Sequence, residues 1–393
     1  MRDNVSNGRG HTGSSWRQAI AVGGEVAPAR PLIGVLPGEG VGPEIVDATL
    51  AVLRRLEEAG APRVELEFGG PCGLEAERAQ GVPLTEEVVS FCLDVFARGG
   101  AILNGPGGGR YVYDLRRRLG LFVKLTPIQA RNGLMHCSPL RSDVAREVDL
   151  LIVRENLEGV YQGSSQQLRD GEGQRRVSHS FTHSEAVVRR FLSAAARLAA
   201  ARRGHLTVAV KSAGLEAVSE LWRELGQQAA AESDVELSVV DVDLIAYQLL
   251  ERPRAFDVVA APNMLGDILS DVASALVGLR SLAFGASFTP EGEAVYQTNH
   301  GSAHDIAGSD RANPLAQILS LAMLLRESLG LGREASAIER GIQLIGRDAF
   351  VTEDLARSGS TVIGTREMGL LVAEAAATEL TRIPGRAVRV SAL

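Results

Sequence analysis

The regular alternation of short apolar runs with longer amphipathic stretches constrains this chain most. LIGVLP (32–37) reads as a buried strand, and the stretch from Pro43 to about Glu58 reads as a helix with Ile45, Ala48, Leu50, Val52 and Leu56 at its apolar positions. Further strands are expected near 100–105 and at DLLIVR (149–154), LTVAVK (206–211) and FDVVAA (256–261), most of them followed by a helical segment. Strand-then-helix repetition predicts an α/β protein. The clearest helix runs from Ser184, a candidate N-cap, to about Arg203, with Val187, Val188, Phe191, Leu192, Ala195 and Leu198 as its buried stripe. The stretch 161–183 is polar and punctuated by glycine, which fits a surface arm or hairpin better than a core element.

With 393 residues, 45% of them hydrophobic, the chain can fill a large core and is long enough for two or three domains. A net charge of −7 offers no basic field for nucleic acid. Three cysteines at irregular spacing (Cys72, Cys92 and Cys137) make neither a disulfide framework nor a zinc motif, so reduced thiols in a cytoplasmic protein are expected. No apolar run approaches the roughly 20 residues that span a bilayer. The first 30 residues, rich in Gly, Ser, Asn and Arg, read as a disordered tail.

Four segments carry chemistry. Gly38-Glu39-Gly40-Val41-Gly42-Pro43 follows a strand and opens a helix, as a dinucleotide turn does, but it lacks the usual glycine spacing; a tight turn explains it equally well. Asp267 and Asp271 stand four apart in NMLGDILSD, on one face if the segment is helical. Two such carboxylates suit a hard divalent ion, Mg²⁺ or Mn²⁺; a solvated acidic face is the alternative, disfavoured by apolar flanks on both sides. In NHGSAHDIAG (299–308) small residues permit close backbone approach and Asp305 can accept from ribose hydroxyls, while zinc at His300 and His304 would need a helix that Gly and Ser disfavour. Finally, Arg116, Arg117 and Arg118 are consecutive, so at most one or two point into a site; Arg154 follows a strand.

Together these segments resemble the isocitrate/isopropylmalate dehydrogenase family of β-decarboxylating dehydrogenases, in the family's order from Leu32 to about Leu331. The matching stretches are LPGEGVGPEI, LRRRLGLFVKLTP, IVRENLEGVYQG, VKSAGLEAVSELWRE, FDVVAAPNMLGDILSD and HGSAHDIAGSDRANP. The resemblance implies a two-domain isopropylmalate-dehydrogenase-like α/β fold, with a central sheet running through both domains and a cleft between them. One domain would comprise 31–121 and 278–393 and bind NAD; the other, 122–277, would bind substrate and a second copy, with 161–183 as a clasping arm. It implies a homodimer with shared active sites. Asp267 and Asp271 match two metal ligands, and Asp243 matches a third supplied across the dimer interface. Tyr161 and Lys211 match catalytic residues, Lys211 again reaching the partner's site and tuned by burial. Arg116 and Arg154 match substrate-carboxylate arginines. His300, Gly301, Ser302, Ala303 and Asn313 fall in the cofactor-binding segment, and Asp305 with Ile306 matches the NAD-preferring pair, where NADP-using members carry Lys and Tyr.

The chain also departs from that pattern. The second substrate arginine falls at Thr126, while Lys124 shares its strand face and is expected to compensate in part. Ala213 replaces an Asn, Gln297 a Glu and His304 a Pro. Before Arg116, where isopropylmalate enzymes place leucines, stand Arg110, Tyr111, Val112 and Tyr113. Arg110 suggests a substrate with a third anionic group, as in isocitrate, homoisocitrate or a phosphonate analogue, unless it is simply solvated. Two other readings are a 3-isopropylmalate dehydrogenase of leucine biosynthesis and a non-catalytic regulatory subunit of a heteromeric isocitrate dehydrogenase.

Overall fold

The computed structural model describes residues 15–21 and 31–382. The first third of the chain contributes α1 (Trp16–Ile20), β1 (Leu32–Leu36), α2 (Gly42–Glu58), β2 (Glu65–Phe68), α3 (Leu74–Gln80), α4 (Glu86–Ala97), β3 (Ala101–Asn104) and α5 (Arg110–Arg118). The middle adds β4 (Val123–Gln129), α6 (Ser142–Ala145), β5 (Asp149–Glu155), β6 (Ser164–Arg169), β7 (Arg175–Ser180) and α7 (Glu185–Ala200). It continues through β8 (His205–Val210), α8 (Glu216–Ser233), β9 (Glu236–Asp241), α9 (Val242–Glu251), β10 (Val258–Ala261) and α10 (Asn263–Leu276). The last third holds β11 (Phe284–Phe288), β12 (Ala294–Thr298), α11 (Leu315–Glu327), α12 (Gly332–Arg347) and α13 (Thr365–Thr381).

One ten-stranded sheet organises these elements, in the order β2-β1-β3-β12-β11-β4-β5-β10-β8-β9. It consists of two parallel halves, joined where β11 and β4 run antiparallel to their neighbours. Both faces are covered by helices, which is why β1 and β10, and β3 up to its terminal Asn104, are apolar and buried instead of alternating. Helix α11, buried along almost its whole length, is the most deeply buried helix and backs β3, β11 and β12. The predicted arm is the antiparallel hairpin β6–β7, all of whose strand residues are exposed.

Two expectations need correction. The N-terminal segment is not disordered throughout: Trp16–Ile20 is helical, and Trp16, Ala19 and Ile20 are buried. Arg197 of α7 donates to the Ala19 and Ile20 carbonyls at 2.6 and 3.1 Å, while Glu327 of α11 accepts from Ser15 Oγ and Trp16 N at 2.7 and 2.8 Å. Residues 1–14 and 22–30 of that expected tail, and 383–393 of the expected cofactor domain, lie outside the described residues. Ser184 does occupy the N-cap position of α7, but its hydroxyl donates to Glu158 at 2.7 Å and makes no cap bond; the helix ends at Ala200.

Candidate active site

Segments remote in sequence line one cleft: the glycine-rich stretch after β3, one face of α5, the facing ends of β4 and β5, and the start of α10. Arg116, Lys124 and Arg154 all reach it and all are at most 5% exposed. The antiparallel register sets Lys124 directly opposite Arg154. Like charges so placed repel, and burial raises the cost.

Arg154 is matched within the protein. Its Nε and second terminal nitrogen donate to Asn263 Oδ1 at 3.0 and 2.8 Å, and its other terminal nitrogen donates to Asp267. This packing requires Gly266, because a Cβ there would lie 2.9 Å from the Arg154 Cβ. Asn263 is fixed in turn by donating to the Glu158 carbonyl at 3.1 Å. Arg116 and Lys124 differ: among the described residues neither side chain has a hydrogen bond or an ion pair, and Arg116 Nε is buried without an acceptor. Burial, then the Arg154 charge, pulls the Arg116 guanidinium down to about 9. Burial, then Arg116 and Arg154, holds Lys124 well below the ordinary lysine range. A polyanionic ligand would supply the charge and acceptors that these two cations lack.

Asp267 and Asp271 lie on one face of α10, both half-buried, as the D-x-x-x-D spacing requires. Burial opposes the Asp267 charge, but Arg154, Lys124, the Tyr161 hydroxyl and Arg116 outweigh it and hold the carboxylate below its usual range. Asp271 is raised by burial and by Asp267, against the pull of Arg280, which it meets at 3.1 Å. Tyr161 Oη donates to Asp267 at 3.0 Å, and burial together with that carboxylate pushes the phenol up to about 12. The donor set is two hard carboxylates with no third potential ligand beside them; no cluster of three exists among the described residues. That fits a divalent ion completed from outside this chain.

Lys211 and Asp243 do not line this cleft. They pair with each other at 2.7 Å, at the end of β8 and in the first turn of α9, and both are exposed. The expectation of a buried Lys211 with a depressed pKa fails for the single chain: the Asp243 hydrogen bond raises it. A second, mainly apolar cavity that Lys211 borders lies under Phe181 and Trp222.

The cofactor candidates surround the glycine turns. Gly40 must be glycine, since a Cβ would lie 1.9 Å from the Ser302 carbonyl at φ +61°. That same carbonyl accepts from Val41 N at 2.8 Å, which ties the turn to the 299–308 loop. The buried Glu39 carboxylate joins three loops, accepting from Leu74 N at 2.7 Å, Gly108 N at 2.7 Å and Ser302 Oγ at 3.0 Å. His300 and Gly301 line the cleft, Ala303 and Asp305 are exposed, and Ile306 packs on Val41, Ile45 and Ala312. Residues 299–308 form no helix, so His300 and His304 do not share a helical face. Asn313 is buried, bonded to Leu315 N at 3.0 Å and Asp354 at 3.2 Å.

Arg110 does not line the cleft either. Its guanidinium donates to the Tyr161 carbonyl at 3.0 Å and to Asp114 at 3.1 Å. Sequence reasoning missed Asn104, Arg280 and Asn263, and took Tyr113 and Gln297 only as departures. Asn104, Tyr113, Gln297 and Arg280 line the cleft, and Asn263 orients Arg154. Only Arg280 carried a signal, as a cation just beyond the D-x-x-x-D helix.

A family model described as isocitrate/isopropylmalate dehydrogenase matches residues 32–372. A 3-isopropylmalate dehydrogenase of Heyndrickxia coagulans is 37% identical over 86% of this chain and 94% of its own length. One of Gloeobacter violaceus is 39% identical over 86% and 96%. Among solved structures, an isocitrate dehydrogenase from Methylococcus capsulatus superimposes with a TM-score of 0.76 at 31% identity, covering 89% of this chain and 99% of that one.

Proposed function

The chain belongs to the isocitrate/isopropylmalate dehydrogenase family, an oxidoreductase of the decarboxylating kind, and from that premise we propose that it oxidises and decarboxylates a 3-substituted malate bearing a polar or anionic substituent, with NAD⁺ and Mg²⁺ or Mn²⁺. The observation that carries the reading of a polyanionic substrate is the pair of buried cations, Arg116 and Lys124, with no anionic partner among the described residues. Asn104 and Gln297 add polar surface, joined by a 3.2 Å hydrogen bond, where an apolar substituent would find no partner. Lys124 is well placed to take the role of the arginine missing at Thr126, whose hydroxyl instead accepts from Asn299 at 3.2 Å.

Asp267 and Asp271, with Asp243 from a second copy of the chain, would hold the divalent ion, which when bound stabilises negative charge on the substrate's 2-oxygen. Arg116, Lys124 and Arg154 bind and orient the carboxylates. Lys211 of the second copy takes the 2-hydroxyl proton as hydride leaves for NAD⁺. It becomes a base only when Asp243 turns to the metal and no longer raises its pKa. Loss of CO₂ leaves an enolate, and Tyr161 delivers a proton to its carbon; with a pKa near 12 the phenol is protonated at neutral pH, and its phenolate regains a proton from solvent before the next turnover. His300, Gly301, Ser302, Ala303, Asp305, Ile306 and Asn313 would contact the cofactor. Asp305 would repel a 2′-phosphate, and Arg311, the nearby cation, is occupied by Glu353 at 2.7 Å.

The two expected lobes would part between β11 and β4, beside the cleft. An exposed apolar stripe on α9 (Leu244, Tyr247 and Leu250), with Ile268 exposed on α10, supports a homodimer built on these helices. No helix among the described residues is long and apolar enough to cross a membrane. Cytoplasmic residence is part of the same proposal.

A second reading has specific support: both relatives named above are 3-isopropylmalate dehydrogenases, and Val112 gives the cleft one apolar wall. NADH formation and CO₂ release should be measured for 3-isopropylmalate, isocitrate, homoisocitrate and a phosphonate analogue, with and without Mg²⁺. Metal-dependent turnover led by an anionic substituent is expected. Preference for isopropylmalate would establish the second reading, and no turnover of any compound would indicate a regulatory subunit.

A further inference from the structure

We propose that Arg110 is a positioning residue: together with Tyr113 it latches α5 to the turn that carries Tyr161, and so acts on the reaction through Tyr161 without touching substrate. The inference rests on the proton-donor role of Tyr161 proposed above. Tyr161 sits in a short 3₁₀ turn, Val160–Gln162, which extends no further than Gly163 and has little rigidity of its own. Its hydroxyl is fixed from inside by Asp267 at 3.0 Å, and the Arg154 guanidinium lies 5.5 Å from its ring centroid. From outside, His179 of β7 meets the Val160 carbonyl at 2.7 Å, and the contacts to Tyr161 itself come from one turn of α5. Arg110 donates to the Tyr161 carbonyl at 3.0 Å. The Tyr113 ring meets the Tyr161 ring edge-on, centroids 5.1 Å apart. The Gln162 amide donates to the Tyr113 carbonyl at 3.4 Å and to Asn156 at 3.2 Å.

Charge bookkeeping favours this role over direct substrate binding. Asp114 lies 3.1 Å from the Arg110 guanidinium and 3.5 Å from Arg117, so Arg110 has an anionic partner within the protein, as Arg116 and Lys124 do not among the described residues. Tyr113 is flanked by Arg110 and Arg116, whose guanidinium carbons lie 5.8 and 5.5 Å from its ring. The latch joins a helix that precedes β4 to a turn that follows β5, beside the cleft that Tyr113 lines. A proton donor displaced by about 1 Å can lose up to roughly a hundredfold in rate, so modest contacts suffice to matter.

The test compares Arg110→Gln and Arg110→Lys with the unaltered chain. In Arg110→Gln we expect kcat to fall about tenfold with KM within about twofold, as loss of one charge-assisted hydrogen bond implies. A pre-steady-state burst of NADH should appear, because hydride transfer then outruns proton delivery, and Arg110→Lys should recover part of kcat. Amide hydrogen exchange over 160–163 should rise in Arg110→Gln, a readout that does not depend on turnover. If exchange rises while even the unaltered chain turns over no malate, the latch stands and the proposed reaction falls. A rise in KM at unchanged kcat, largest for the substrate with three anionic groups, would make Arg110 a substrate ligand and overturn the proposal. Unchanged exchange and unchanged kcat would overturn it too.

Discussion

Single side chains in this cleft are set by the balance between burial and charge. Glu155, next to Arg154, is fully buried, and burial lifts its carboxyl to about 7 even though the Leu157 and Glu158 amides favour the anion. A carboxyl with a raised folded-state pKa binds more protons folded than unfolded between about 4.5 and 7. Stability should therefore fall as pH rises through that window, by an amount on the order of 3 kcal/mol. Thermal unfolding followed from pH 5 to 8 should show this decline, and Glu155→Gln should flatten it; an equal slope in both proteins would refute the assignment. Charge made part of the candidate site legible in sequence: Arg116, Lys124, Arg154 and Asp267 line one cleft, with Asp271 on the same face of α10, whereas Arg110, Lys211 and Asp243 lie outside it. Neutral residues such as Asn104 and Asn263 were not, because an amide gains its role only from what folding sets beside it.

At the scale of elements, the five strand runs and the two long helices named in the sequence correspond to β1, β3, β5, β8 and β10 and to α2 and α7, because burial on both faces leaves unbroken apolar runs and helices leave 3.6-residue stripes. Helix α1 escaped because five residues make too short a stripe and their surroundings are rich in Gly, Ser and Arg. Its anchors are tertiary, from Arg197, Glu327 and the Gly292 carbonyl, which accepts from Arg17 at 2.7 Å. Truncating a buried Trp in a core typically costs about 3–5 kcal/mol. A short segment near a terminus can instead detach before the domain unfolds. Trp16→Ala should thus make the bonds around 15–21 protease-sensitive while the main unfolding transition shifts by only a few degrees. A large drop in the main transition would mean that α1 is integral to the core.

For the whole molecule, the cleft of one chain holds acceptors and cations, and Tyr161 meets its Asp267, but Lys211 and Asp243, the proposed base and third carboxylate, lie elsewhere. If a second copy completes the site, two inactive variants should repair each other. Mixed Tyr161→Phe and Lys211→Met chains should regain up to about a quarter of the activity, since half the dimers are hybrids with one intact site each. No recovery after subunit exchange shown by mass would place Lys211 in its own chain's site. Such sharing would not be legible in the spacing of residues, because partner choice depends on surfaces such as the α9 stripe that form only on folding.

Whether the cleft favours an anionic substituent is tested by the ratio of kcat/KM for isocitrate to that for 3-isopropylmalate in the unaltered chain, with Lys124→Met beside it. A ratio above one is expected, and Lys124→Met, which removes a charged contact to carboxylates that both substrates share, should lower both values at least about tenfold. A ratio below one would contradict the reading.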